Sequence, residues 1–362
     1  GKFIEFYDIC KLLRKMSLEG IERKEMMNIR HIASILAIAL TVIAASSCHD
    51  KDDTEYSDSF SGSLKFDVPS YVSPGDVYEL VPSGVYTEDE TPWGYYWTAT
   101  PYASERDTTR YATDPASVTG AYTLYVPTDT LCTMTVTCYA FATGYYNTSR
   151  STSVVIIDPD RSLTNLTEAE LPTITDSRDG KEYSYSTIGS YDWFSSNLAY
   201  EAIGTPYYDC DATVCVYGQF YTYEEAITAC PEGWTLPSLD AWTDLAQTLG
   251  AEVDKSGSIA GVAGDIMVDA YLNGTRLWEY WPEVKITNKA LFYSLPSGYA
   301  IASSKGRSYE GYGKYAVYWT ADAVDEDDAY YMYIYLEKPD IHKGSGDRKS
   351  FASPVRCVRK SE

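Results

Sequence analysis

Histidine is scarce in this sequence: only 3 of its 362 residues are His, and two of them, His31 and His49, stand in the N-terminal segment. Ser-His-Asp triads, Cys-His nucleophile pairs, HExxH zinc sites and multi-histidine metal centres all need more imidazole than His342 supplies to the rest of the chain. The motifs GxxxxGK[ST], GxGxxG, GxSxG and CxxC do not occur either. These absences exclude many catalytic classes. A glycosidase with paired carboxylates stays open, because acidic residues are abundant.

Basic residues are few as well. The chain has 29 Lys+Arg against 52 Asp+Glu, which gives a formal net charge of −23. An acidic chain repels phosphate backbones and anionic lipid headgroups, so nucleic acid is not expected among its partners.

Long apolar runs are limited to one, Ile32 to Ala45, which is shorter than the roughly 20 residues of a transmembrane helix. It follows Arg30 and ends in small residues before Cys48, a pattern typical of a signal peptide. The sequence around Cys48 resembles a lipobox, with Ala45 where Leu is usual. The resemblance implies that Cys48 carries the lipid as the first residue of the mature chain. An ordinary secretory cleavage is the alternative.

The residues after Cys48 indicate the location of the protein more closely. The sequence HDKDD at 49–53 resembles the acidic export tag of Bacteroidetes surface lipoproteins, and a solvated charge run is the alternative. We therefore expect residues 1–47 to be upstream sequence and signal peptide, and 48–59 to be an acidic tether. The expected location is the outer membrane, exposed at the cell surface, with the N-terminal lipid as the only membrane contact.

Apolar and aromatic side chains are plentiful: 44% of the residues are hydrophobic and 35 are Tyr. That is enough for two domains with their own cores. Within 60–158, Leu131 to Ala142 alternates apolar side chains with Thr, which predicts a half-buried strand. Similar shorter runs stand at 76–81, 94–100, 121–126 and 153–157. Together they predict an all-β, immunoglobulin-like sandwich with Trp97 in its core.

Residues 159–172 lack this alternation and are bounded by prolines, so they are predicted to be a linker. For the rest of the chain, 173–362, the pattern predicts an α+β domain. Thr222 and Glu225 form a capping box that predicts a helix from Tyr223 to Cys230. Ser238 is the predicted cap of a second helix.

The second region contains six motifs in the order WxxxNL from 193, YGQFYT from 217, CPEGWTLPS from 230, LPSGY from 295, YWT from 318 and VRCVR from 355. In this order they resemble the Fibrobacter succinogenes major paralogous domain, which looks like a variant of the C-type lectin fold. The resemblance implies that the domain's two ends meet in a short sheet and that a long loop region carries the ligand surface. It also implies a disulfide between Cys230 and Cys357. Cys210 and Cys215 are close enough along the chain for a local bridge, and both outcomes stay open.

The resemblance to lectins does not extend to a calcium site, since Trp319 is followed by Thr-Ala-Asp rather than Asn-Asp. The acidic run nearby lacks the D-x-D-x-D-G spacing of a calcium loop. A solvated loop is therefore favoured over Ca²⁺ binding, and neither a metal nor another cofactor is expected. The carboxylates that a calcium ion would use are Asp322, Asp325, Asp327 and Asp328.

Aromatic residues are the better candidates for a binding site. In the sequence YYMYIYL at 330–336, Tyr331, Tyr333 and Tyr335 alternate with apolar residues, which predicts a tyrosine stripe on one face of a strand. Tyrosine provides a large rigid contact area with a polar tip, as binding surfaces require. Packing over the underlying sheet is the alternative. The remaining candidates in the preceding loop-rich stretch are Tyr309, Tyr312, Tyr315 and Trp281.

These observations predict a non-catalytic cell-surface lipoprotein that binds a glycan or a host or partner protein through its C-terminal domain. The alternatives are a carboxylate-based enzyme acting on polysaccharide and a structural subunit of a surface assembly.

Overall fold

The alternating segment 131–142 forms a long strand in the computed structural model, which describes residues 56, 58–100, 109–113, 120–279 and 282–362. The strand runs from Thr133 to Ala142, and its apolar residues Met134, Val136 and Cys138 are buried. Cys138 is a free thiol, as is Cys132. The signal peptide, Cys48 and most of the tether lie outside the described residues.

The first region of the chain, up to residue 158, contains strands as its regular elements in the described part. They are β1 (Asp58–Ser59), β2 (Ser61–Lys65), β3 (Tyr71–Val72), β4 (Val77–Leu80), β5 (Ser83–Tyr86), β6 (Trp93–Thr100), β7 (Thr109–Thr113), β8 (Tyr122–Tyr125), β9 (Thr133–Ala142), β10 (Tyr145–Tyr146) and β11 (Thr148–Ile156).

One five-stranded sheet, in the order β3-β11-β9-β6-β7, supports this region. The two-stranded sheets β2-β5 and β4-β8 add Leu64, Leu80 and Leu124 to the same hydrophobic core. Trp97 lies fully buried in that core, and its Nε1 donates a hydrogen bond to the carbonyl of Gly120 at 2.9 Å. The regular elements of the described part of this region are all strands, and Trp97 lies in its core as predicted.

The second region mixes strands with short helices. Its strands are β12 (Leu163–Thr164), β13 (Thr173–Thr175), β14 (Glu182–Ile188), β15 (Tyr191–Phe194), β16 (Thr205–Pro206), β17 (Gln219–Thr222), β18 (Tyr271–Leu272), β19 (Thr275–Arg276), β20 (Tyr299–Ser303), β21 (Gly306–Glu310), β22 (Tyr315–Ala323), β23 (Asp328–Tyr335), β24 (Ile341–Asp347), β25 (Phe351–Ser353) and β26 (Val358–Lys360). Its helices are α1 (Val214–Tyr217), α2 (Tyr223–Ala226), α3 (Leu239–Thr248) and α4 (Ala263–Ile266), with 3₁₀ turns at Tyr207–Asp209 and Asp211–Thr213.

Both predicted helix caps are present. Thr222 and Glu225 form the reciprocal capping box of α2, and the Ser238 side chain accepts from the backbone N–H of Ala241 at the start of α3. The expected helix from Tyr223 to Cys230 is nevertheless too long, because α2 ends at Ala226. The chain turns after this point and brings Cys230 to its disulfide partner.

The start and the end of the second region share one sheet, in the order β13-β14-β15-β26. Next to it, Cys230 and Cys357 form a disulfide with a Cα–Cα distance of 5.8 Å across 127 residues of sequence. The predicted bridge is confirmed. In the chain-entropy model, a loop of this length stabilises the fold by about 4–5 kcal/mol.

Several of the motif residues meet around a buried cation. Arg356 is 1% exposed. Its Nε donates to Oδ1 of Asn197 at 2.7 Å, and its Nη atoms donate to the carbonyls of Phe194, Phe292 and Tyr293. A buried charge is tolerated when its donors are satisfied in this way. Asn197 and Arg356 therefore have a structural role in the motifs.

The segment predicted as a linker, 159–172, contributes β12, which pairs with β18 in the order β12-β18-β19. Arg161 forms an ion pair with Asp158 at 2.7 Å. The described residues from Tyr56 to Glu362 belong to one compact unit.

The three-stranded sheet β22-β23-β24 separates two hydrophobic cores of the second region. Met332 and Ile334 face the core that includes Trp242 of α3. Val317 and Trp319 face the other core, which is covered in part by the five-stranded sheet β16-β17-β25-β20-β21. The tyrosine stripe lies on this second face.

Candidate functional site

The alternation of β23 places Tyr331, Tyr333 and Tyr335 on one face of its sheet, as predicted. Register extends this row to the neighbouring strands: Tyr335 is opposite Tyr315 of β22, and Tyr333 is opposite His342 of β24. Residues directly opposite in an antiparallel pair share a face, so tyrosines of two strands lie side by side. Strands β20 and β25 add Tyr299 and Phe351. We call the following seven residues the aromatic face: Tyr299, Tyr315, Tyr331, Tyr333, Tyr335, His342 and Phe351.

The rings of the aromatic face are in contact with one another. Tyr315 stacks on Tyr335 with a centroid separation of 4.7 Å, and Tyr331 stacks on Phe351 at 4.8 Å. Tyr299 stacks on the same Phe351 at 5.2 Å. Contacts of this kind fix the orientation of the rings, so a ligand would meet a surface that is already ordered.

Two glycines of β24 allow the inner rings to lie close to the backbone. A Cβ at Gly344 would meet the Tyr331 ring at 2.5 Å, and a Cβ at Gly346 would meet the Phe351 ring at 2.9 Å. Both distances are shorter than real carbon contacts permit. Tyr331 and Phe351 therefore pack on the sheet, while Tyr333 and Tyr335 lie farther along the face.

All five tyrosines of the aromatic face are half-buried. Burial raises the pKa of Tyr331 and of Tyr333 above the ordinary value. The hydrogen bond to the Glu337 carboxylate raises the pKa of Tyr335 to about 12. These phenols are therefore neutral at physiological pH. In the described part of the chain, the hydroxyls of Tyr299, Tyr315, Tyr331 and Tyr333 have no hydrogen-bond partner.

A second group of tyrosines has a different environment. Tyr207 is 3% exposed and lies at its centre, with Tyr71 of β3 at 5.7 Å, Tyr309 at 5.0 Å and Tyr312 at 5.8 Å between ring centroids. Tyr71 belongs to the first region of the chain, so this group joins the two regions. We call it the junction cluster, and its members are Tyr71, Tyr207, Tyr208, Tyr217, Tyr309 and Tyr312.

The hydroxyls of the junction cluster are largely used within the protein. Tyr309 donates to the carbonyl of Pro206 at 2.7 Å, and the hydroxyls of Tyr217 and Tyr312 are 3.1 Å apart. Burial raises the pKa of Tyr309 to about 12. The cluster is therefore built as an internal contact.

A cavity of about 330 Å³ is lined in part by the segment 159–172. Its lining includes Leu163, Leu166 and Leu171 of this segment, together with Asn197 and Arg356. Both of these polar side chains already have hydrogen-bond partners within the protein. The described lining contains one carboxylate, that of Glu182.

Comparison with known protein families gives a match in the second region, which contains the aromatic face. Residues 187–359 match the Fibrobacter succinogenes major domain. This match to the major domain includes the aromatic face, the disulfide and every member of the junction cluster except Tyr71. The search of curated proteins found no match.

Likeness to solved structures is weak. The adhesin InvE of Yersinia pseudotuberculosis has 12% identity and a TM-score of 0.22, over 82% of this chain and 70% of that chain. A superoxide reductase (neelaredoxin) from Ignicoccus hospitalis has 11% identity and a TM-score of 0.21, over 27% of this chain and 82% of that chain. At these TM-scores neither similarity carries an argument about this protein.

The predicted binding residues thus divide into separate places. Tyr315, Tyr331, Tyr333 and Tyr335 share the aromatic face. Tyr309 and Tyr312 lie instead in the junction cluster, and Trp281 lies outside the described residues. The sequence pattern of 330–336 does not connect Tyr299, His342 or Phe351 with the stripe. The alternation of His342, Gly344 and Gly346 on the strand opposite the tyrosines is the signal in the sequence that points to them.

Cys210 and Cys215 are not bonded to each other, so the local bridge that the sequence left open is absent. The Cys210 thiol contacts the carbonyl of Tyr208, and the Cys215 thiol contacts that of Ala212. The 3₁₀ turn between the two cysteines directs each thiol to a different carbonyl.

The acidic run near the aromatic face is organised as a turn. Oδ1 of Asp325 accepts from the backbone N–H groups of Asp327 and Asp328, each at 2.9 Å, and these bonds lower its pKa. Oδ2 of Asp322 accepts from the N–H of Leu239 at the start of α3. Among the described residues, no group of three or more His, Cys, Asp or Glu side chains is placed to hold a metal ion. None of the described helices is long and apolar enough to span a membrane.

Proposed function

We propose that this protein is a non-catalytic binding protein that holds a glycan or a partner protein on the aromatic face. The observation that carries the proposal is a set of stacked, half-buried rings in which four hydroxyls have no partner in the described part of the chain, those of Tyr299, Tyr315, Tyr331 and Tyr333. Ring faces of this kind provide contact area at low entropic cost, and free hydroxyls add hydrogen bonds with the ligand.

The carboxyl groups support binding over catalysis. A glycosidase needs two carboxylates across a cleft, one of them with a raised pKa so that it can act as the acid. Among the described carboxyl groups, those with a clearly shifted pKa are all lowered by hydrogen bonds, mostly from nearby residues: Asp89, Asp158, Asp176, Asp254, Asp325 and Asp347. In the described lining of the cavity, Glu182 is the one carboxylate.

The fold and the location belong to the same proposal. The shared sheet of the second region's ends and the Cys230–Cys357 bridge support a C-type-lectin-like domain at 173–362. The hydrophobic core that the sheets of the first region share supports an immunoglobulin-like sandwich. The lipobox-like sequence supports a lipid anchor on Cys48 at the outer membrane, facing outward. Fatty-acid labelling that survives Cys48→Ala would overturn the anchor.

The binding site is tested on the full chain with the double variant Tyr333→Ala/Tyr335→Ala. Wild type and variant are screened on a glycan array and against extracellular proteins. We expect the affinity for the ligand found to fall by at least about tenfold, because two ring contacts are lost. Tyr125→Ala is the matched control, since Tyr125 is 72% exposed on β8, away from the aromatic face.

Wild-type affinity of the double variant for every ligand would overturn the proposal. The enzymatic alternative makes a different prediction, which is release of reducing sugar that is abolished by Glu182→Gln. Co-purification with neighbouring surface proteins that survives the double variant would favour the structural subunit.

A further inference from the structure

The surroundings of the aromatic face distinguish among the ligands that the proposed function allows. Elsewhere in the second region, tyrosine rings lie beneath basic groups. The guanidinium of Arg178 is 3.8 Å from the Tyr200 ring centroid, and that of Arg348 is 4.8 Å from Tyr223. This protein therefore repeatedly uses the attraction between a cation and an aromatic ring.

The outer rings of the aromatic face differ in this respect. In the described part of the chain, no Lys or Arg lies over Tyr299, Tyr315, Tyr333 or Tyr335. The nearest basic side chain along the chain, Lys314, is directed to Glu279 at 3.6 Å. Within the described residues these ring faces therefore have the chemistry of a cation site with no Lys or Arg over them, and the basic side chain that contacts them is His342, whose ring centroid is 5.1 Å from that of Tyr333.

Carboxylates border these rings. Glu310 of β21 is directly opposite Tyr299 of β20, so both side chains share one face of their sheet, and Glu310 is exposed. Glu337 follows Tyr335 by two residues and accepts a hydrogen bond from its hydroxyl. Tyrosine faces with a carboxylate at each side favour a positively charged group over a neutral one. The net charge of −23 further favours encounter with a basic partner.

We infer that the ligand of the aromatic face is a basic segment of a partner protein, with Arg or Lys side chains over Tyr299, Tyr333 and Tyr335 and ion pairs to Glu310 and Glu337. This inference rests on the proposed function, because it uses the same face. It selects a cationic peptide over a neutral glycan.

The probe is a short labelled peptide of alternating Arg and Ser, compared with the same peptide in which citrulline replaces Arg. Citrulline keeps the shape and removes the charge. The full-length protein is titrated with each peptide at roughly physiological ionic strength, at which distant charges are screened. We expect the Arg peptide to bind at least about tenfold more tightly than the citrulline peptide.

Glutamate-to-glutamine variants distinguish the effect of the carboxylates at the aromatic face from the effect of the chain's overall negative charge. Glu310→Gln/Glu337→Gln is expected to weaken Arg-peptide binding about tenfold. Glu168→Gln/Glu170→Gln removes the same charge from exposed positions outside the aromatic face. It is expected to change the affinity for the Arg peptide by less than about twofold. Tyr333→Ala/Tyr335→Ala is expected to abolish the preference for Arg over citrulline.

Three results would overturn the inference: no binding of the Arg peptide, equal binding of the two peptides, or equal losses in the two glutamate pairs. If a glycan or another protein still depends on Tyr333 and Tyr335, the proposed function stands and only the basic ligand is wrong. If no ligand depends on these tyrosines, both are wrong.

Discussion

The junction cluster and the aromatic face are made of the same residue type but use it in opposite ways. In the junction cluster, Tyr207 is buried among rings and the hydroxyl of Tyr309 donates to a carbonyl of the protein. In the aromatic face, Tyr333 is half-buried and its hydroxyl has no partner in the described part of the chain. Tyrosine content therefore does not identify a binding surface by itself. A binding surface is identified instead by tyrosines whose hydroxyl has no partner within the protein and whose ring has one face uncovered.

The largest expected difference in stability between the two clusters is that caused by removing a whole tyrosine ring. Tyr207→Ala should lower the free energy of unfolding by about 3–5 kcal/mol, because it leaves a cavity among several aromatic neighbours. Tyr335→Ala should cost clearly less, because Tyr335 is half-buried and its ring contact in the described part of the chain is with one neighbour, Tyr315. Urea unfolding of the two variants measures both values, and equal losses would contradict the division into a structural and a binding cluster.

A smaller effect is expected at the inner edge of the aromatic face. Gly344→Ala places a Cβ 2.5 Å from the Tyr331 ring, so the ring must move and its stacking on Phe351 is lost. We expect a destabilisation of about 1–3 kcal/mol and a changed near-ultraviolet circular dichroism spectrum. Ser345→Ala, at an exposed neighbouring position, is the control. An unchanged spectrum in Gly344→Ala would show that Tyr331 does not pack on the glycine.

Removal of a single tyrosine hydroxyl should also change stability by different amounts in the two clusters. Tyr309→Phe leaves the Pro206 carbonyl without its donor and should cost about 0.5–1.5 kcal/mol. Tyr333→Phe removes a hydroxyl that has no partner, and should change stability by less than about 0.5 kcal/mol. Chemical denaturation of the two variants side by side measures the difference. A cost at Tyr333 equal to that at Tyr309 would contradict the assignment of a free hydroxyl.

The smallest effect concerns titration. Tyr309 and Tyr335 both have a pKa of about 12, for different reasons: burial for Tyr309 and the Glu337 carboxylate for Tyr335. Because each folded-state pKa exceeds the ordinary 10.0, each group contributes stability below pH 10 that is lost as the pH rises toward about 12.

Glu337→Gln should therefore lower the pKa of Tyr335 toward 10.0 and leave that of Tyr309 at about 12. Nuclear magnetic resonance titration of ring-labelled tyrosine follows the two residues separately. A Tyr335 pKa that stays near 12 in this variant would contradict the role of the carboxylate.

Much of the local structure followed from local patterns. The alternation in 131–142 predicted β9, Ser238 predicted the start of α3, and the alternation in 330–336 predicted which face of β23 carries tyrosine. The Cys230–Cys357 bridge came from the family resemblance and is confirmed. These features depend on neighbours in sequence or on a motif, so a sequence is enough to predict them.

The division of the tyrosines could not be predicted in this way. Closeness along the chain groups Tyr309 with Tyr315, yet Tyr309 donates a hydrogen bond to the carbonyl of Pro206, 103 residues earlier. Likewise, α2 ends before Cys230, because a bridge to Cys357 requires the chain to turn. Long-range packing decided each of these outcomes.

By itself, the sequence determined an acidic chain, poor in histidine and rich in tyrosine, with alternating strands and capped helices. Only the tertiary structure decided that Tyr309 and Tyr312 join two regions, while Tyr333 and Tyr335 remain half-buried on the aromatic face. The physical reason is that strand alternation fixes the face on which a side chain lies, whereas the atoms covering that face come from strands far away in the sequence.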